Sequence, residues 1–297
     1  MKTFNELKHQ LCASSTTKTV AVVWPADEDT LQSMALTLEQ GVARMMAVGC
    51  RQQVEQHPAL HDYAHCITII DADSPDDAAR QAVMMARDGR ADAIMKGMIN
   101  TDNLLRAVLD KQTGILTPGS VLTHVSVAQI AGCDRLLLFS DPAVIPHPTH
   151  EQRVEQVKYV VTLCRKLGVD TPRIAMIHCS EKVNEKHFPH TVSYRTIAQM
   201  AADGEFGPCI ADGPLDVKTA LDLHSMQVKG IHSPINGQAD ALIFPDIEAG
   251  NVFYKTITLF AGAQTAGMLQ GARVPVVVPS RGDSATSKFN SIMLAVL

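Results

Sequence analysis

Pro279-Ser280-Arg281-Gly282-Asp283-Ser284 lies between an apolar run, Arg273–Val278, and a helix-like segment, Ser284–Leu297. In open α/β sheets the turn from a strand end to a helix start sits at the crevice where ligands bind. Free N–H groups at a helix start attract anions, and an Arg beside them supplies a forked donor suited to phosphate. The plainer reading is a polar turn with Asp283 or Ser284 as N-cap. The stretch DAIMKGMINTD (92–102) repeats the pattern of strand, Gly and capped helix. Gly97 would let a ligand approach the backbone; the alternative is a capped helix with Lys96 on the surface. GxGxxG and GxxxxGK[ST] are both absent, so standard dinucleotide and P-loop chemistry is not supported.

Three other groupings carry weaker chemistry. FPDIEAGN (244–251), followed by Tyr254 and Lys255, places Asp246 and Glu248 near each other. Two carboxylates without a third ligand make a poor metal site, and the plainer reading is a loop capping the next helix through Asn251. His147-Pro148-Thr149-His150 holds two His three apart, but Pro148 and a capping Thr149 put them in a loop and a first turn, away from the single face zinc needs. Gly282-Asp283-Ser284 resembles a hydrolase block, yet no GxSxG occurs and too little chain follows for a triad.

The elements that must position these residues alternate strand and helix. Strands are predicted at Thr19–Trp24, Cys66–Ile70, Ala93–Lys96, Arg135–Phe139, Arg173–His178, Cys209–Ala211, Ala241–Phe244 and Arg273–Val278. Such alternation favours a mostly parallel sheet with helices on both faces. Thr149 and Gln152 fit a capping box ahead of Val154, Val157, Val160, Val161 and Cys164 at helical spacing, with Gly168 as the stop. Further helices are predicted from Thr101 and over Asn251–Leu269. The Pro-rich stretch 141–148 reads as a linker or functional loop and a first domain boundary. The closing strand and helix are expected to rejoin the first domain.

Composition narrows the classes. At 297 residues the chain suits two domains or one large α/β domain. Hydrophobic residues at 46% and charged residues at 19% exclude a disordered chain. Aromatics are only 4%, with Trp24 the single tryptophan, which argues against a stacking platform for single-stranded nucleic acid. A net charge of -5 provides no global field for DNA or an anionic membrane. No apolar run approaches the ~18 residues that span a bilayer, and the charged N-terminus does not read as a secretory leader. Seven scattered Cys without a CxxC pair read as buried, reduced thiols, which suggests the cytoplasm.

Taken together, DAIMKGMINT (92–101), DRLLLFSDPAVIPHPT (134–149), CSEKVNEK (179–186), ADGPLDVKTAL (211–221), GQADALIFPDIEAGNVFYKTI (237–257) and VVVPSRGDSATSKFNSI (276–292) resemble the phosphate acyltransferase family, which includes phosphate acetyltransferase and phosphate butyryltransferase. The resemblance is close from about Asp92 to Leu297 and loose before it. It implies an α/β fold of two α/β/α domains with mostly parallel sheets and an interdomain cleft, isocitrate/isopropylmalate dehydrogenase-like. The domains would be 1–140 plus 272–297, and 141–271. The implied reaction transfers a short acyl group, butyryl or acetyl, between CoA and inorganic phosphate by direct attack in a ternary complex. It uses no metal and no tightly bound cofactor, with CoA as co-substrate, in a homodimer.

By the same resemblance, Ser280 would donate to the thioester carbonyl or the CoA sulfur, and Arg281 would hold the phosphoryl group. Acetyl-specific members place an Asp seven residues after that Ser; here the position is Ser287, which points to the butyryl branch. Asp283 is then the nearest carboxylate for the base, with His124 as an alternative. Gly97, Asn100 and Thr101 would line the site opposite Ser280, and Asn251 and Lys255 would meet phosphate or the CoA tail. Two rival readings remain: a non-catalytic CoA or acyl-phosphate binding protein, motivated by Ser287, and a metal- and nicotinamide-dependent dehydrogenase, which would need an Asp cluster that the sequence lacks.

Overall fold

Helix and strand alternate through most of the chain in a computed structural model that describes residues 3–297, the breaks being two pairs of consecutive strands and consecutive short helices. The chain divides into two compact units, Phe4–Leu122 with Thr265–Leu297, and Thr123–Gln264. The first unit begins α1 (Phe4–Cys12), β1 (Thr19–Val23), α2 (Glu28–Glu39), β2 (Arg44–Gly49), α3 (Arg51–Glu55), β3 (Ile67–Asp71), α4 (Pro75–Arg87), β4 (Ala93–Lys96) and α5 (Thr101–Val108). The second holds β5 (Thr123–Gln129), β6 (Leu137–Ser140), α6 (His150–Lys166), β7 (Arg173–Ile177), α7 (His190–Ala202), β8 (Ile210–Leu215), α8 (Val217–Leu221), α9 (Leu223–Val228), β9 (Ala241–Ile243) and α10 (Ile247–Phe260). The chain then returns to the first unit with β10 (Gln264–Gln270), β11 (Val276–Val277) and α11 (Ala285–Ala295).

In the first unit the strand order is β3-β2-β1-β4-β11-β10. All pairings are parallel except β10 with β11. Val20–Val23 and Ala93–Met95 are fully buried, which is the near-continuous apolar signature of parallel strands covered on both faces. In the second unit the order is β5-β6-β9-β7-β8, parallel except for β5 with β6. Its core gathers Phe139, Leu242, Phe244 and Ile235, with Phe253 edge-on to Phe139 at 5.2 Å. Thr149 and Gln152 form the reciprocal capping box at the start of α6. Among the described residues no helix is long and apolar enough to cross a membrane.

Several expectations are corrected. Three strands went unpredicted, namely β2, β5 and β10. The Met-Met-Ala run of β2 has little intrinsic strand preference, and it is a strand because β1 and β3 pair with both its edges. β5 (THVSVAQ) alternates in polarity yet is almost wholly buried, so its hydroxyls hid it. The helix expected to run to Leu269 ends at Phe260, because Gly262 takes a positive φ of 57° and the chain then extends into β10. Asp246 is the N-cap of α10, and Asn251 lies more than a turn inside it. The units change over at Leu122/Thr123 and Gln264/Thr265, not at residues 140/141 and 271/272. β5 and β6 pair with each other from Val125↔Ser140 to Ala128↔Leu137, so the Pro-rich loop falls inside the second unit. All seven Cys are unpaired, but only Cys164 is buried; Cys12, Cys66 and Cys179 are exposed.

Candidate active site

Adjacent parallel strands finish side by side, and this brings distant residues together. β1 pairs with β4, and β4 pairs with β11, all in one direction. The carboxyl end of β1 therefore delivers Asp27 and Asp29, that of β4 delivers Lys96 and Gly97, and that of β11 delivers Ser280 and Arg281. These residues line a cavity of about 570 Å³ together with Asn100, Asn103, Asp76 and Lys288. The volume suits a small-molecule site. Every lining residue belongs to the first unit.

Gly97 is required where it stands. A Cβ there would meet the carbonyl oxygens of Val23 and Trp24 at 2.6 Å. Those carbonyls already accept from Gly97 N at 2.9 Å and Met98 N at 2.8 Å, which locks the end of β4 against the end of β1. Asn100 follows as the N-cap of α5, but its side chain makes no capping bond. Its Oδ1 instead accepts from the Arg281 guanidinium at 3.0 Å.

The loop after β11 is shaped by Asp283. Its carboxylate accepts from Ser280 N at 2.7 Å, and its own N donates to the Ser280 carbonyl at 3.1 Å. Asp283 thus closes the turn that presents Ser280 and Arg281, and it is not among the cavity-lining residues. Ser284 caps α11, accepting from Ser287 N at 3.3 Å, and Asp29 accepts from Ala285 N at 3.1 Å. Ser287, at the position where acetyl-specific relatives are expected to carry Asp, is here the third residue of that helix.

The charges fall into two kinds. Lys288, only 4% exposed, is neutralised by Asp27 at 2.7 Å and also donates to Thr30 Oγ1. Burial pushes the Asp27 carboxyl up, but hydrogen bonds from Lys288 and Thr30 outweigh it and hold it below its ordinary value. Lys96 is likewise buried at 5% exposure, yet it forms no ion pair among the described residues. Among the described residues the one hydrogen bond of its ammonium is a 3.4 Å contact with the Gly97 carbonyl. Burial, then the neighbouring Arg281, lower its pKa. Arg281 is exposed and also lacks a carboxylate partner among the described residues.

Of the predicted residues, the structure brings Gly97, Asn100, Ser280 and Arg281 into one cavity. Thr101 is the exposed first residue of α5 and does not line it. Asn251 and Lys255 stand on α10 of the second unit and do not line it either. Asn251 donates to the Pro142 carbonyl at 3.1 Å, and the Lys255 ammonium sits over the Tyr254 ring. His124 lies on β5, its Nδ1 3.3 Å from Ser126 Oγ. His150 pairs with Ser193 at 2.8 Å. Among the described residues no group of three or more His, Cys, Asp or Glu is arranged to hold a metal ion. Sequence reasoning missed Asp27, Asp29 and Lys288 and gave Lys96 no role beyond the alternative of a surface side chain. The signal for Lys96 was present: it ends a buried strand, immediately before a Gly.

Comparison with known proteins gives the family. The family described as phosphate acetyl/butaryl transferase matches residues 67–296. A phosphate butyryltransferase from Clostridium beijerinckii is 36% identical across 100% of this chain and 97% of its own. A phosphate acetyltransferase from Thermotoga maritima is 38% identical over 75% of each chain. Among solved structures, a branched-chain phosphotransacylase from Enterococcus faecalis V583 aligns with a TM-score of 0.82 at 27% identity, over 94% of this chain and 98% of that one.

Proposed function

The chain belongs to the phosphate acetyl/butaryl transferase family, and on that premise we propose that the cavity at the ends of β1, β4 and β11 is where it exchanges an acyl group between CoA and inorganic phosphate. The acyl group is short, butyryl or acetyl, as the names of the relatives suggest. CoA is a co-substrate, and no tightly bound cofactor takes part. The observation that carries the reading is the Arg281 guanidinium, oriented by Asn100 in a cavity wall and without an ion pair among the described residues.

The chemistry is a direct exchange in a ternary complex. A phosphate oxygen attacks the thioester carbonyl carbon, the new C–O bond forms as the C–S bond breaks, and the electron pair leaves on sulfur. Arg281 offsets charge on the phosphoryl oxygens, and the Ser280 hydroxyl donates to the thioester carbonyl oxygen or to the departing sulfur. Fixed donors at atoms that gain charge lower the barrier, and holding both substrates together supplies much of the rest. In the reverse direction the thiol must lose its proton. A thiol of pKa ~8.5 is already a few per cent thiolate at neutral pH, so no strong base is needed, and the part of Asp283 is to hold the turn that presents Ser280 and Arg281.

The reading extends to architecture and assembly: two α/β/α domains of the isocitrate/isopropylmalate dehydrogenase-like kind, a homodimer, and a cytoplasmic location. Val252, Leu259 and Phe260, exposed at 65%, 75% and 82% on α10, support a second copy covering that helix. The test is to incubate the purified protein with butyryl-CoA or acetyl-CoA and phosphate and follow release of the CoA thiol. Release that depends on phosphate is expected with at least one of them. CoA binding by calorimetry without turnover would instead identify a binding protein of the same fold.

A further inference from the structure

A buried ammonium without a counterion is expensive to keep unless something anionic visits it. Lys96 is such a group. It ends β4 with 5% of its surface exposed, lines the cavity, and has no ion pair among the described residues. The one hydrogen bond of its ammonium among the described residues, 3.4 Å to the carbonyl of the next residue, is at the long limit for such a contact. The other buried cation in the same wall, Lys288, shows what a satisfied lysine looks like here, with Asp27 at 2.7 Å. Lys96 shares the cavity with a like charge, Arg281, which is near enough to lower its pKa further. Asp27 and Asp283 offset part of the charge on Lys96, but Asp27 is already paired with Lys288 and Asp283 with the Ser280 N–H, so two cations without an ion pair of their own among the described residues line one cavity, which fits an oxyanion bearing more than one negative charge.

A second observation points the same way. Because Asn100 gives its side-chain oxygen to Arg281, α5 begins without a side-chain cap. The Asn100 side chain thus holds the Arg281 guanidinium at the cavity wall without neutralising it.

We propose that Lys96 is a substrate-binding residue whose ammonium holds the tetrahedral phosphate opposite Arg281, so that inorganic phosphate, and the phosphoryl end of the acyl phosphate it becomes, is clamped from two sides. This rests on the acyl-transfer reading above. CoA also carries phosphate groups, but they sit at the far end of a long arm from its sulfur. A cation that shares a cavity with Ser280, the hydroxyl assigned to the reacting thioester, meets the acceptor phosphate and not those distant groups.

The test is Lys96→Met, which keeps the stem and removes the charge, with Lys96→Gln as a second variant should the first not fold. Loss of a charged hydrogen bond to a bound anion should raise the KM for phosphate about tenfold or more. The KM for acyl-CoA should stay within about twofold, since no contact to CoA is removed. In the reverse direction the KM for acyl phosphate should rise and that for CoA should not. A phosphate KM changed by less than about fivefold overturns the assignment, and so does a loss carried mainly by acyl-CoA or CoA, which would place Lys96 at the CoA phosphates. A binding arm needs no turnover: inorganic phosphate should raise the unfolding temperature of the wild-type protein and do so markedly less in the variant. If wild-type protein shows no phosphate-dependent CoA release, the acyl-transfer reading fails, while an intact phosphate-dependent difference in unfolding temperature still upholds Lys96 as an anion site. Equal phosphate shifts in both proteins would overturn it.

Discussion

The guanidinium of Arg281 donates to Oδ1 of Asn100 at 3.0 Å, across a separation of 181 residues. The residue that would normally cap α5 is thereby used to aim a cation. Replacing Asn100 by Ala should loosen Arg281 and raise the phosphate KM several-fold. Replacing it by Asp should be worse, although Asp is as good an N-cap, because a carboxylate would pair with the guanidinium and neutralise it. Steady-state kinetics on the two variants, with thermal unfolding to show that Asn100→Asp is no less stable, decides this.

Ser280→Ala and Arg281→Ala should each lower the rate of phosphate-dependent CoA release by about tenfold or more, the scale of a lost transition-state donor. Arg281→Lys should recover only part of the loss, since an ammonium cannot reproduce the planar fork. Wild-type rates in both alanine variants would remove the assignment.

Lys96 makes stability depend on pH. Burial and then Arg281 depress its pKa below the ordinary 10.5, with Lys288 adding to this and Asp27 and Asp283 opposing it. Between the folded and unfolded values the unfolded chain binds more protons, so this group makes the protein more stable as pH rises through that window. Lys96→Met should therefore melt above wild type at neutral pH, and the gap should narrow as pH approaches 10.5. Parallel melting curves at several pH values test the sign; a constant gap would mean that Lys96 titrates normally.

The Asp27–Lys288 pair is structural. Removing the carboxylate with Asp27→Asn leaves a 4%-exposed ammonium uncompensated. The cost should be about 2 kcal/mol, below that of a fully buried pair because Asp27 is about one-third exposed. Adding Lys288→Met to that variant should return most of the stability. A double-mutant cycle by urea unfolding measures the coupling.

Gly97→Ala would push a methyl group against two backbone carbonyls at 2.6 Å, neither of which belongs to a flexible side chain. A loss of about 2 kcal/mol is expected, together with displacement of Lys96 and a higher phosphate KM. Denaturant midpoints with an unchanged m-value would confirm that only stability moved.

What the sequence revealed, and what it hid, follows the same physics. Apolar β-branched runs such as Thr19–Val23 and Arg173–Ile177 and the capping box at Thr149 were readable because they are local. β2 and β5 were not, because their pairing is supplied by other strands, and β10 hid behind the helical look of its flanks. The site divided likewise. Ser280, Arg281, Gly97 and Asn100 announced themselves at strand-to-helix turns, whereas Asp27 and Lys288 acquire their meaning only from each other, 261 residues apart. For Lys96 the sequence offered only the plain alternative of a surface side chain, because a lysine is rarely buried, and that rarity is what makes its burial informative.

β4 and β11 are neighbours in space, yet the whole of the second unit is threaded between them along the chain. A ribosome making this protein extrudes Lys96 and Gly97 early and must then deliver that entire intervening body before the strand bearing Ser280 and Arg281 emerges. Until β11 docks, β4 waits with one edge unpaired, so the nascent chain lacks the proposed site and is prone to stray strand pairing for most of its synthesis.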